Sequence, residues 1–263
     1  MAVLAIDWSG RRTGAHRHIW TAEAVDGELV ALTSGRSREQ VADDLVERAR
    51  TDRELVVGFD FSFSLPSWFL DARGFASAPD LWDAAAADGE EWLRACEDPF
   101  WGRPGRPRPD VGEPLRRTER ALAAVGGIRP KSTFQIGGAG SVGTGSVRGF
   151  PVLAQLRRAG FAIWPIDDPA PAPVVVEIYP RRLTGPVVKS DADARGAYLD
   201  RKLPALTSDL RARAAASEDA FDAAVSAVVM SRHTTALLTR PAVDDPRLRR
   251  EGCVWTPPDL TSG

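Results

Sequence analysis

Long apolar runs are missing from this chain of 263 residues. None approaches the ~18 residues of a membrane span, and no basic stretch followed by an apolar core opens the N-terminus as in an export signal. Cysteine is scarce: Cys96 and Cys253 lie far apart and match no zinc or disulfide spacing. A reducing, cytoplasmic setting without membrane attachment is expected. The three histidines, His16, His18 and His233, form no metal-ligand pattern and read as surface residues. Neither sign of charge dominates, with 34 Lys and Arg against 36 Asp and Glu. Any contact with nucleic acid must therefore be a local patch. What is present is ordinary globular composition, 43% hydrophobic and 27% charged, enough for one sizeable core.

Against that background one stretch stands out. Ala2–Ile6 is apolar, too short for a typical helix, and reads as a buried strand ending in Asp7. Burying a lone carboxylate is costly, so Asp7 belongs at the strand's mouth or beside a cation. His18–Val25 and Glu28–Thr33 read as two further strands around the hairpin turn Asp26-Gly27. Ser37 reads as the N-cap of a helix reaching Arg50, with Val41, Leu45, Val46 and Ala49 at helical spacing. Leu55–Phe59 is a second apolar run, and it too ends in an acid, Asp60. A helix returning over the meander sets the second run parallel to the first, so that Asp7 and Asp60 share the carboxyl edge of the sheet.

The expected fold is α/β: a mixed sheet, antiparallel meander then parallel strands, flanked by helices. Residues 1–263 are read as a single domain with an inserted subdomain at about 67–160. Within the insertion, Asp80–Cys96 and Pro114–Val125 look helical, Gly137–Gly149 reads as a glycine-rich loop, and a helix follows near Phe150–Ala159. Phe161–Ile166 and Val174–Tyr179 read as strands joined by a proline–alanine spacer at 169–173. Arg195–Ala216 is read as mostly helical, broken near Pro204, and Ser217–Met230 as a cleaner helix capped by Ser217. Glu251–Trp255 reads as an edge strand.

Two acids on adjacent strand ends repel, and a bound cation is the natural way to keep both ionised. Asp219 and Asp222 are three apart and share one helix face. Asp219 suits a first helical turn. Asp222 lies deeper, on the side of Val225 and Val229, where an acid needs a partner such as a metal. Glu177 alternates onto the face of Val175 and Tyr179, and is either a half-exposed strand acid or a fourth ligand or support. Oxygen-only ligands select Mg²⁺ or Mn²⁺, and carboxylates around such ions carry out phosphodiester hydrolysis. The expected metal set is Asp7, Asp60 and Asp222, with Glu177 and Asp219 assisting; the alternative for Asp7 and Asp60 is that each ends its strand in a turn.

Two other features have competing readings. Gly138, Gly140 and Gly143 match a dinucleotide fingerprint in form, but the preceding Thr133–Ile136 is a poor strand. The loop is either a phosphate contact or a tight connection. Between Trp101 and Lys131 seven Arg and one Lys face Asp110, Glu113 and Glu119. Arg103–Arg108 with Arg116, Arg117, Arg120 and Lys131 either follow a nucleic-acid backbone or form a solvated loop.

The meander–helix–strand order resembles the ribonuclease-H-like fold. The motif series Ala5-Ile-Asp7-Trp-Ser-Gly10, Gly58-Phe-Asp60 with Leu65-Pro66, Phe134-Gln135 with the glycine loop, Glu177-Ile-Tyr-Pro180, Glu218-Asp219-Ala-Phe-Asp222-Ala and Glu251-Gly252 resembles the family catalogued as domain of unknown function 429, regarded as predicted nucleases. The resemblance implies Asp7 as first-strand ligand, Asp60 as fourth-strand ligand and Asp222, with Asp219, as late-helix ligands. The expected function is metal-dependent cleavage of nucleic acid. The alternatives are a phosphotransferase or nucleotide-binding protein of the actin-like or sugar-kinase type, and a non-catalytic binding module on the same scaffold.

Overall fold

The computed structural model describes residues 1–169 and 173–260, so most of the proline–alanine spacer lies outside the described residues. In chain order the elements are β1 (Ala2–Asp7), β2 (Trp20–Val25), β3 (Glu28–Ser34), α1 (Arg38–Thr51), β4 (Val56–Phe59), α2 (Ser67–Ala72), α3 (Ala78–Ala95), α4 (Arg117–Ala121) and α5 (Gly143–Arg158). Then follow β5 (Ala162–Trp164), β6 (Val174–Glu177), α6 (Pro180–Thr184), α7 (Ala192–Lys202), α8 (Ser208–Ala215), α9 (Glu218–Arg232), α10 (Thr234–Leu238) and α11 (Pro246–Glu251).

One six-stranded mixed sheet runs in the order β3-β2-β1-β4-β6-β5. β1, β2 and β3 are antiparallel neighbours, and β1, β4, β6 and β5 are parallel. Ile6, Phe59 and Glu177 stand in one row across β1, β4 and β6. Residues paired in such a row point to the same side, and their successors to the other. Ile6 and Phe59 pack under α1, α3 and α5. Val3, Ala5, Val56, Val174, Val176 and Ile178 pack against the opposite layer, which includes α9. Burying side chains on both faces of the parallel strands is what makes them continuous apolar runs.

α1 follows from its capping box: Ser37 accepts from the Gln40 N–H, and Gln40 reaches back to the Ser37 N–H. α9 begins where Ser217 accepts from the Ala220 N–H. Its alanines, Ala220, Ala223, Ala224 and Ala227, are buried and let it lie close on β1, β2 and β3. Gly58 faces it, because a Cβ there would stand 2.6 Å from Met230 Sδ.

Several local expectations change. The glycine stretch is not a loop throughout: α5 starts at Gly143, well before Phe150, and runs through Gly145, Gly149 and an internal Pro151. Packing overrides weak helix propensity here, since a Cβ on Gly149 would meet the Phe61 ring at 2.4 Å and one on Gly10 would meet the Gly145 backbone nitrogen at 2.6 Å. Pro114–Val125 shrinks to the short α4. Glu251–Trp255 is the end of α11 plus a single parallel bridge from Val254 to Glu177, not a strand.

Candidate functional site

Asp7 closes β1, and Asp60 follows β4 directly. The Asp60 N–H continues the ladder to Ile6 O at 3.4 Å, and the Trp8 N–H donates to Asp60 Oδ1 at 2.6 Å. The two acids therefore meet at the carboxyl edge. Both have the parity of Ala5 and Gly58, so both point to the α9 side of the sheet. Asp222 arrives there from the second turn of α9.

Asp7 and Asp222 are buried, each at 8% relative exposure, and Asp60 is half-buried. Burial and then the charges of Asp60, Asp222 and Asp219 hold the Asp7 carboxyl well above the usual range. Burial pushes Asp60 up to about 7, against the Trp8 hydrogen bond and with repulsion from Asp222 and Asp219. Burial likewise raises Asp222, and Lys189 opposes the shift. Each acid thus sits within the electrostatic reach of the others.

Lys189, in the connection between α6 and α7, completes the group. Its Nζ donates to Asp222 Oδ2, and its charge favours ionisation of Asp7 and Asp60 as well. Sequence reasoning missed it because it belongs to no periodic pattern. One signal was available: Lys131, Lys189 and Lys202 are the only lysines among 34 basic residues. Asp219 lies further out, about a third exposed, with its Oδ2 3.1 Å from His18 Nδ1. His18 is therefore a neighbour of the acids rather than an isolated surface residue.

The unclaimed oxygens are informative. Asp222 Oδ1 is buried without a hydrogen-bond partner. Among the described residues no donor reaches the Asp7 carboxylate or Asp60 Oδ2. Nor, among the described residues, is any group of three or more His, Cys, Asp or Glu side chains placed to hold a metal ion. Among the described residues Lys189 is instead the one lysine or arginine bonded directly to Asp7, Asp60 or Asp222.

Compared with known protein families, curated proteins and solved structures, the chain matches none.

Glu177 is not brought into this group. It has the parity of Phe59, so it points to the other face of the sheet, where Arg116 takes both its oxygens and the Phe63 N–H donates to Oε2 at 2.9 Å. Arg116 also engages Glu119 and the Glu251 carbonyl and is 0% exposed. It is thus removed from any nucleic-acid surface, in contrast to the expectation for the basic stretch. Burial alone would weaken its hold on its proton, but Glu119 and Glu177 beside it strengthen that hold. Arg117 pairs with Asp245, while Arg103, Arg106, Arg108 and Arg120 remain exposed.

The glycines do not build a dinucleotide site. Thr133–Ile136 is no strand of the sheet and contributes one bridge, Trp101 to Gln135. Gly138 and Gly140 have positive φ, as a turn requires, and Lys131 Nζ closes that turn on Ala139 O at 2.8 Å. Gly143 lies against Thr133 O, where a Cβ would stand at 2.2 Å.

Proposed function

We propose that the chain is a ribonuclease-H-like, metal-dependent hydrolase of nucleic-acid phosphodiester bonds, in line with the resemblance to the domain of unknown function 429 family. One observation carries the reading: Asp7, Asp60 and Asp222, far apart in sequence, converge on one face of one sheet edge while their buried or half-buried charges stay mostly uncompensated. Such strain is retained where it serves a ligand or a reaction.

The donor chemistry suits a hard divalent cation, although among the described residues no three of these side chains are placed to hold one together. It is all oxygen, Asp222 Oδ1 is an orphaned buried acceptor, and Asp7 has no donor among the described residues. Asp7, Asp60 and Asp222 would hold Mg²⁺ or Mn²⁺. When bound, such an ion lowers the cost of generating the attacking water and of charge on the leaving oxygen. The chain's own residues prepare the rest. The Trp8 N–H fixes the Asp60 carboxylate. Lys189 fixes Asp222. Asp219 holds His18 at the outer side of the group, where the pair can pass a proton to solvent or to the departing hydroxyl. Water adds to phosphorus, one phosphorus–oxygen ester bond breaks, and the leaving oxygen takes up a proton. The exposed Arg103, Arg106 and Arg108 supply cations for phosphate backbone contact.

The test is cleavage of end-labelled single- and double-stranded DNA and RNA with Mg²⁺ or Mn²⁺. Activity should vanish in Asp7→Asn with the fold intact; full activity in that variant overturns the assignment. The Lys189–Asp222 pair favours a second reading, a non-catalytic module whose acids are neutralised internally. Absence of Mn²⁺ binding at millimolar concentration would select it.

A further inference from the structure

We propose that the first turn of α5, together with the indole of Trp8, is a binding site for a phosphate group at the carboxyl edge of the sheet. The site does not need the acids to hold a metal, and it lies on the other face of the sheet from them.

α5 has 16 residues and opens without a side-chain cap or a first-turn acid. The Gly143 N–H goes to Gln135 O at 3.0 Å, and the Ser146 N–H goes to Val142 O at 3.1 Å. Between them, the Thr144 and Gly145 N–H groups meet no acceptor among the described residues. Unclaimed donors at the positive end of a helix favour an anion.

A side chain supplies a further donor at the same place. Trp8 Nε1 is buried without a hydrogen-bond partner, and the residue is 7% exposed. Cδ1, the ring carbon bonded to that nitrogen, is the atom nearest to a Cβ placed on Gly145, at 3.9 Å. The N–H edge of the indole is thus turned to the first turn of α5. An indole N–H can only donate, so burying it unpaired is costly unless a ligand brings the acceptor. Gly10 passes the same turn with no side chain. A Cβ there would stand 2.6 Å from the Gly145 nitrogen and 2.9 Å from the Thr144 carbonyl carbon, over the unclaimed donor.

The charges around the turn suit a multiply charged oxyanion. Arg38 lies over the Trp8 ring at 5.9 Å and donates to the carbonyls of Ser9 and Arg11, not to an acid. Arg148 bonds Gly10 O and Glu90. Arg11 and Arg12 are exposed on the same loop. The place also fits the chemistry of the edge. Trp8 follows Asp7 directly, and the Ser62 N–H, two residues beyond Asp60, donates to Ser146 Oγ at 3.1 Å. A phosphate held here is flanked by the segments that leave both acids.

Inorganic phosphate is titrated into the isotope-labelled full-length chain in chelator, with ionic strength held constant by chloride, and N–H signals are followed by NMR. Trp8→Phe keeps a ring in place and identifies the Trp8 indole signal by its loss. The Trp8 indole signal and the Thr144 and Gly145 amide signals should move together and saturate. Trp8→Phe, shown to be folded by the same spectrum, should weaken phosphate binding about tenfold, or ~1.4 kcal/mol. A second titration uses a thymidine dinucleotide joined by one phosphodiester. Saturation by the dinucleotide assigns the site to a nucleic-acid backbone, and saturation by inorganic phosphate alone assigns it to the free ion. No saturable movement of these signals with either ligand overturns the proposal, as does unchanged phosphate affinity in folded Trp8→Phe. The Thr144 and Gly145 amides of the wild type decide the matter if that variant does not fold. Because no metal is present, failure here leaves the nuclease reading to its own test, cleavage by Asp7→Asn.

Discussion

Arg116 and Glu177 form a two-pronged ion pair inside the protein, with Arg116 Nη1 2.9 Å from Glu177 Oε2. It ties the segment before α4 to the end of β6, across the sheet from the three converging acids. Removing one partner of a buried pair strands the other charge. Glu177→Gln should therefore lower stability by about 3–5 kcal/mol, measured by urea denaturation. Its Mn²⁺ affinity should equal that of the wild type, because Glu177 points away from Asp7 and Asp60. A large loss of Mn²⁺ affinity in a folded Glu177→Gln protein would return Glu177 to the site.

Asp7→Asn should abolish cleavage and at the same time raise the metal-free melting temperature. The carboxylate removed is buried among like charges, so its loss relieves repulsion, at about 2–4 °C for each kcal/mol gained. Thermal melts in chelator, run beside cleavage assays, check both halves.

Stability should fall as pH rises, in the absence of divalent ions. Asp60 titrates at about 7 in the folded chain and at about 3.9 when unfolded. Between those values the folded state binds more protons, so its advantage is full in acid and is lost as pH climbs towards 7. Asp7 and Asp222, also raised, act in the same direction. Melting temperatures from pH 5 to 8 in chelator should decline, and Asp60→Asn should flatten the decline. Mn²⁺ affinity should rise over the same range as protons leave the ligands.

The glycines of α5 should differ sharply. Gly149→Ala sets a methyl against the Phe61 ring at 2.4 Å and should cost about 1–3 kcal/mol. Gly145→Ala meets only ordinary contacts, 3.9 Å from Trp8 and 4.0 Å from Phe61. It should be neutral or stabilising by up to about 1 kcal/mol, as alanine favours the helix. Denaturation midpoints separate the two, and similar losses in both would show that contact with Phe61 is not what decides the cost of a methyl in this helix.

The strands that carry Asp7 and Asp60 were legible because a buried parallel strand announces itself as an apolar run, and an acid at its end breaks that pattern. α1 and α9 were legible through Ser37 and Ser217, whose capping is local chemistry. Alternation along β6 correctly set Glu177 on the face of Val175, but the face's occupant, Arg116, lies 61 residues away, and no local pattern joins them. Arg116 looked like one more member of an exposed basic stretch, since burial is decided by partners that sequence alone does not pair. The start of α5 was hidden for a related reason: glycines that read as a loop serve close approach to Gly10 and Phe61. Lys189 lies in an irregular connection, where periodicity has nothing to report.

Gly58 has no side chain, and the close approach of α9 to β4 depends on that. It leaves room under Met230, two turns along the helix that carries Asp222, and it precedes Asp60 by two residues on the same side of β4. A larger side chain there would act as a jack beneath α9, lifting Asp222 away from the strand ends. Sensitivity to substitution in this protein therefore extends to a residue with no chemistry of its own, through the height of one helix above one sheet.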